Sequence, residues 1–170
     1  MKIFLIGLPG CGKSTLGKQL AEKLKLPFVD LDAEIEKSVG ITIKGIFKKY
    51  GESFFRKEES EQLHRFGEGH DDFVMATGGG VPVFFDNMKF MNQHGRTIFL
   101  DVPAREIAQR ILKTKLDERP LLGSTHPDEL KDQIEFLRSQ RISFYQQAHI
   151  RLVEDTIQLS DIINALNDKP

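Results

Sequence analysis

The chain has 170 residues, 39% of them hydrophobic and 29% charged, with a formal net charge of −1 at pH 7. That length suits one domain holding a full sheet with helices on both faces, and the near-neutral charge argues against a broad electrostatic footprint for nucleic acid. One cysteine excludes an internal disulfide and suits a reducing cytoplasm, and no apolar run approaches the length of a membrane span.

The first element is a buried-strand pattern, Lys2–Ile6. The apolar stretch is too short for a signal peptide and runs straight into Gly7-Leu8-Pro9-Gly10-Cys11-Gly12-Lys13-Ser14-Thr15. Leu16, Leu20 and Leu24 then recur at helical spacing, which predicts a helix over Lys13–Leu26 that Pro27 stops. A glycine, four free residues and Gly-Lys-Ser, set between strand and helix, read as a phosphate-binding loop rather than a glycine-rich turn capping an ordinary helix. Glycines let backbone N–H groups converge on phosphate oxygens, and the helix N-terminus adds its positive end. In that pattern Lys13 reaches the β- and γ-phosphates and the Ser14 hydroxyl ligates Mg²⁺, so the sequence predicts a nucleoside triphosphate site. Cys11 reads as a small residue fitting a tight loop, with no catalytic role for its thiol.

A second strand, Pro27–Leu31, leads into Asp30-Leu31-Asp32. Two-residue spacing puts both carboxylates on one side if the strand persists that far. One could then hold Mg²⁺ through water while the other accepts a proton from an attacking hydroxyl. The alternative is that Asp32 caps a helix starting at Ala33, with Glu34 and Glu36 favouring its dipole. Capping and catalysis are compatible. Phe55-Arg56-Lys57-Glu58-Glu59 reads as helical, and Glu59 can pin Arg56 while the guanidinium fork serves a substrate carboxylate. The same spacing is also that of a common surface pair.

The third strand, Phe73–Thr77, opens onto Gly78-Gly79-Gly80. A turn alone needs fewer glycines, which favours close backbone approach to a ligand. The fourth strand, Thr97–Val102, carries Asp101, a weaker Mg²⁺ candidate than Asp30 or Asp32 and more in keeping with a cap or turn before Pro103. A helix over Ala104–Lys113 follows. Thr114–Pro127 is the one long irregular stretch, of a kind often used as an active-site lid, although a solvated connector has the same pattern. Its Arg119 can neutralise charge on a transferring phosphoryl group. The helix Asp128–Gln147 carries Arg138 and Arg141 three apart, a spacing that lets one face the site while the other is solvated. A fifth strand, Ile150–Val153, and a last helix, Ser160–Asn167 with Ser160 as its N-cap, complete the chain. The five histidines show no metal-ligand spacing and read as surface or locally paired residues. Alternating strands and helices predict an α/β fold with a parallel sheet covered on both sides, and ligands bind such sheets at the carboxyl ends of the strands.

Assembled, these pieces resemble the shikimate kinase family over nearly the whole chain, from Gly7 to about Tyr145. The resemblance rests on the phosphate loop, on Phe28-Val29-Asp30-Leu31-Asp32 followed by Ile35-Glu36, and on Ile46-Phe47 leading to Gly51-Glu52 and Phe55-Arg56-Lys57-Glu58-Glu59. Gly78-Gly79-Gly80, Arg119-Pro120-Leu121-Leu122, and Arg141 ahead of Tyr145 complete it. Very many proteins share the phosphate loop; the ordered set is far more specific.

The resemblance implies a three-layer P-loop NTPase fold: a five-stranded parallel sheet of order 2-3-1-4-5 flanked by helices, with a mobile lid. Residues 1–170 would form a single kinase domain, with the lid at about 114–127 and a substrate-binding helical region at about 33–62. It implies phosphorylation of the 3-hydroxyl of shikimate by ATP with Mg²⁺, on the route to chorismate and the aromatic amino acids. Residue by residue, Asp32 contacts the reacting hydroxyl as candidate base, Arg56 and Arg141 bind the shikimate carboxylate, and Gly79, between Gly78 and Gly80, offers its backbone. Gly10, Cys11, Gly12, Lys13, Ser14 and Thr15 hold the nucleotide, Arg119 closes over its phosphates, and Arg110 lies near the adenine. Ser14 ligates Mg²⁺, with Asp30 or Asp32 in the outer shell. Lys13, Asp32 and Arg119 form the catalytic set. The expected protein is a cytoplasmic monomer with a small-molecule substrate and neither nucleic-acid nor membrane partners. One departure stands out: Glu154-Asp155-Thr156-Ile157-Gln158 follows the last strand, where many members carry basic residues beside the adenine.

A kinase for another small hydroxylated acid, such as gluconate, or for a nucleoside monophosphate would also use arginines and an aspartate. A nucleotide-dependent switch is disfavoured, because the Asn-Lys-x-Asp guanine-reading motif of GTPases is absent from the sequence.

Overall fold

The computed structural model describes residues 1–69, 71–113 and 126–168. Five parallel strands form one sheet in the expected order, β2-β3-β1-β4-β5. They are β1 (Lys2–Ile6), β2 (Phe28–Asp30), β3 (Phe73–Ala76), β4 (Arg96–Asp101) and β5 (Ile150–Val153). Ile3, Phe4, Leu5 and Ile6 of the central strand are all fully buried. A strand with neighbours on both edges and helices over both faces has no solvent side, so its sequence is continuously apolar. The edge strand β5 alternates instead, with Ile150 and Leu152 half-buried and Arg151 and Val153 exposed.

Among the described residues the α-helices are α1 (Lys13–Leu24), α2 (Leu31–Val39), α3 (Ile43–Glu68), α4 (Asn87–His94), α5 (Ala104–Lys113), α6 (Pro127–Tyr145) and α7 (Leu159–Asn167). α1 ends two residues before the predicted boundary. Lys25 turns left-handed (φ 56) and returns its N–H to the carbonyls of Ala21 and Glu22, the usual way a helix closes its last turn.

The largest correction lies at β2. The strand stops at Asp30, Leu31 opens α2, Asp30 occupies the N-cap position and Asp32 lies in the first turn. Asp32 therefore neither caps a helix from Ala33 nor shares a strand face with Asp30. Residues 33–62 fall in α2, the link 40–42 and α3. Thr42 caps α3 by accepting the Gly45 N–H at 3.2 Å, and the helix breaks at Gly51 (φ 81, ψ 175).

α4 has no counterpart among the predicted elements, since eight residues give barely two turns in which a period can show. Ser160 is not the cap of the last helix. Gln158 holds that position and its N–H donates to Asp161 at 2.7 Å, leaving Ser160 within the first turn. Among the described residues no helix is long and apolar enough to cross a membrane.

Candidate active site

A cleft of about 1520 Å³ lies at the carboxyl ends of the strands. It collects every predicted site residue that the structure describes: Gly10 to Thr15, Asp30, Asp32, Arg56, Gly78, Gly79, Gly80, Arg110 and Arg141. Arg119 and most of the predicted lid, residues 114–125, lie outside the described residues. The last predicted lid residue, Pro127, is the first residue of α6.

At one end stands the phosphate loop. Gly12 occupies the N-cap of α1 in the left-handed region (φ 104), a conformation open to glycine at no steric cost. That turn exposes the first N–H groups of α1 to the cleft. Lys13 is buried and its Nζ donates to the carbonyls of Gly7 and Leu8, both at 2.9 Å, with Cys11 Sγ 3.7 Å away. The loop thus anchors the ammonium on the cleft floor. Ser14 Oγ donates to Asp30 Oδ2 at 3.0 Å, bringing the two predicted Mg²⁺ oxygens together.

The far wall of this end comes from α5 and the segment after β5. Arg110 Nη1 donates to Cys11 O at 3.2 Å and Nη2 to Asp155 O at 3.0 Å, stapling the phosphate loop to that segment. Arg105 pairs with the Asp155 carboxylate at 2.6 Å. The acidic loop that departs from the family pattern is therefore held by two arginines of α5. Thr156, Ile157 and Gln158 line the cleft beside it.

The other end is assembled from side chains. Arg56 is buried on α3, where Nη1 donates to Glu59 Oε2 at 2.7 Å, while Nη2 and Nε donate to Glu52 Oε1 at 3.0 and 3.2 Å. Its guanidinium also lies over the rings of Phe84 (4.8 Å) and Phe55 (5.2 Å). The predicted Arg56–Glu59 pin is present and is a buried pair rather than a surface one. Of the five guanidinium N–H groups, three are thereby committed to carboxylates, leaving one on Nη1 and one on Nη2. Burial pushes the Glu59 carboxyl up to about 7 against the pull of Arg56. Burial works against the Arg56 charge, but Glu59 and Glu52 outweigh it and hold the guanidinium more firmly protonated than usual.

Each of the three glycines accommodates a different charged group. A Cβ on Gly78 would meet Glu59 Oε1 at 2.5 Å and Asp32 Oδ1 at 3.3 Å. On Gly79 it would meet Arg141 Nη1 at 3.0 Å and Pro9 at 2.9 Å, and on Gly80 it would overlap the Arg56 guanidinium. What lies against these glycines is the site's own side chains. Asp32 is raised above the ordinary carboxyl value by burial and by the neighbouring Asp30, with Lys13 pulling it down. Arg141 is buried and its Nη1 has no hydrogen-bond partner among the described residues.

Arg138 and Asp101 have other work. Asp101, buried at the end of β4, accepts from Arg138 Nη2 at 3.0 Å and from Arg151 Nη2 at 2.6 Å. Asp101 is thus an ion-pair centre, neither a helix cap nor a free Mg²⁺ carboxylate, and Arg138 clamps it instead of standing in solvent. The sequence offers Glu52 only as part of a family motif, with no role attached, and does not reveal Phe84 or the Asp101 clamp. Only Glu52 carried a signal, four positions before Arg56 on a helical stretch. Phe84 comes from a different segment with no spacing rule to reveal it. The described histidines are locally engaged as expected: His64 and His94 stack on Phe90, and His149 meets Thr97.

The profile of the shikimate kinase family matches residues 9–168. A shikimate kinase from Bacteroides fragilis is 43% identical over 158 residues, covering 93% of this chain and 87% of that one. One from Bacteroides thetaiotaomicron is 40% identical over 172 residues, covering 99% and 97%. The crystal structure of the Bacteroides thetaiotaomicron shikimate kinase superposes with a TM-score of 0.88 at 39% identity, over 98% of this chain and 96% of that one. Shikimate kinase from Acinetobacter baumannii in complex with shikimate gives 0.85 at 33% identity, over 97% and 89%. A gluconokinase from Sinorhizobium meliloti, at 0.51 and 16% identity over 96% and 87%, shares the fold alone. With the profile spanning almost the whole sequence and relatives matching it end to end, the chain belongs to the shikimate kinase family.

Proposed function

We propose that the two ends of the cleft divide the family's reaction between them. The chain transfers the γ-phosphoryl group of ATP, with Mg²⁺, to the 3-hydroxyl of shikimate, giving shikimate 3-phosphate and ADP on the route to aromatic amino acids. One observation carries the acceptor assignment: Arg56, already held by Glu52 and Glu59, and Arg141, whose buried Nη1 is unpartnered among the described residues, flank consecutive glycines. Two planar guanidinium groups with N–H donors to spare suit a carboxylate.

The residue roles follow from this placement. Asp32, with its raised pKa, accepts the proton as the acceptor hydroxyl oxygen forms its bond to phosphorus and the bond to the leaving ADP oxygen breaks. Gly10 to Thr15 cradle the phosphates and Lys13 sets its charge on them. Ser14 and Asp30 fit Mg²⁺, because this ion takes one or two protein oxygens and completes its shell with phosphate and water; Asp32, which feels the Asp30 charge, is the other outer-shell candidate. The ion supplies neutralisation of charge on the β- and γ-phosphate oxygens. Arg110 stands at the adenine end. Arg119 is assigned to the ATP phosphates on its motif, Arg119-Pro120-Leu121-Leu122, and lies outside the described residues.

In the same reading residues 1–170 are one kinase domain, with 33–62 binding substrate and 114–127 closing over it. The reading includes a cytoplasmic monomer: the near-neutral charge speaks against nucleic-acid partners, and the single cysteine suits a reducing cytoplasm. The test is coupled-assay ADP formation from Mg·ATP with and without shikimate. Strong shikimate-dependent release is expected; none from a folded, ATP-binding sample would discard this acceptor in favour of other hydroxy acids.

A further inference from the structure

Tyr145 is fully buried, one turn beyond Arg141 on α6, with its ring 5.0 Å from that of Phe99 in β4. Its hydroxyl donates to the Gly79 carbonyl at 2.6 Å. A buried phenol placed by core packing is a stiff anchor. Burial pushes its pKa up to about 12, so it stays protonated and keeps donating; Arg141, near the same hydroxyl, pulls the other way.

A trans peptide is planar, with its C=O and N–H pointing in opposite directions. Holding Gly79 O on Tyr145 therefore also sets the direction of the Gly80 N–H. Among the described residues neither Gly79 nor Gly80 donates a backbone hydrogen bond, so both N–H groups are free to meet an acceptor. Arg141 Nη1 lies against the same glycine.

We propose that Tyr145 is a positioning residue for the acceptor: its hydroxyl, by binding Gly79 O, fixes the Gly79–Gly80 peptide relative to Arg141. The effect rests on the acceptor reading above. It acts through Gly79 and Arg141, without contact between Tyr145 and the reacting atoms. It also gives the glycine loop a tether to α6 that the phosphate loop does not need, so the two substrates should feel its loss unequally.

The test is Tyr145→Phe, which keeps the ring in the core and removes the hydroxyl. The KM for shikimate should rise about fivefold, the range of one lost hydrogen bond, with kcat, the KM for ATP and the melting temperature nearly unchanged. Hydrogen exchange at Val81 and Val83, whose N–H groups donate to Gly78 O and Gly80 O, should quicken in the same variant. A shikimate KM equal to the parent's, a rise shared equally by ATP, or unaltered exchange would each overturn the proposal. A parent protein without shikimate-dependent turnover would instead remove the acceptor reading, and the exchange measurement would still decide whether the tether exists.

Discussion

The nucleotide end and the acceptor end of the cleft are built on opposite plans. The first comes largely from one contiguous loop whose working groups are backbone N–H groups and a lysine resting on loop carbonyls. The second draws Asp32 from α2, Arg56 and Glu59 from α3, three glycines from the loop after β3 and Arg141 from α6. Backbone donors need only the right dihedrals. Buried charges need partners before they can serve a ligand, because an unpaired ion away from water is costly. The acceptor end thus carries carboxylates, Glu52 and Glu59, whose work is to hold an arginine ready.

Substitutions should separate the two plans. Lys13→Ala should cut phosphoryl transfer by about a thousandfold or more, the scale of losing a main electrostatic stabiliser, while shikimate binding, followed by calorimetry, survives. Asp32→Asn should lower kcat by about a hundredfold or more, in the range of general-base losses, with ATP affinity retained; unchanged turnover would take Asp32 out of the mechanism. Arg56→Lys should raise the KM for shikimate about tenfold or more, since a point charge cannot replace a planar fork, and leave the KM for ATP in place. Equal effects on both substrates would mean that the two ends are not independent.

Glu59 gives the smallest and most diagnostic effect. Its carboxyl is raised from 4.5 to about 7 by burial, so the folded protein holds that proton more tightly than the unfolded chain does. The stability this contributes is full below pH 4.5 and is lost as the pH rises through about 7. Glu59→Gln should therefore flatten the dependence of melting temperature on pH across that window. An unchanged slope would show that Arg56 keeps Glu59 ionised throughout.

The same contrast explains what could be read from the sequence. The phosphate loop was legible because its chemistry is local: spacing, flanking strand and following helix all fall within a short run. Strand positions were legible from apolar runs, and the strand order came through family resemblance rather than pattern. Asp32, open in sequence between a strand end and the cap of a helix at Ala33, takes neither place, since a strand ending at Asp30 and one ending at Leu31 look alike in sequence. The three glycines were legible as a site of close approach, but not as the bed on which Glu59, Arg141 and Arg56 lie, because those partners arrive from other segments. The Asp101 clamp was hidden for the same reason: its arginines stand on α6 and β5.

One helix ties these long-range pieces together. Arg138, Arg141 and Tyr145 are spaced three and four apart on α6, which places them along a single stripe. From that stripe the helix reaches Asp101, the cleft and Gly79 in turn. Rotational phase is therefore what α6 has to preserve, more than composition. One residue inserted between Arg138 and Arg141 would turn everything beyond it by about 100°. The clamp on Asp101 would stay shut while Arg141 and Tyr145 swung off the cleft, and the expected result is a folded protein that binds nucleotide without its second substrate.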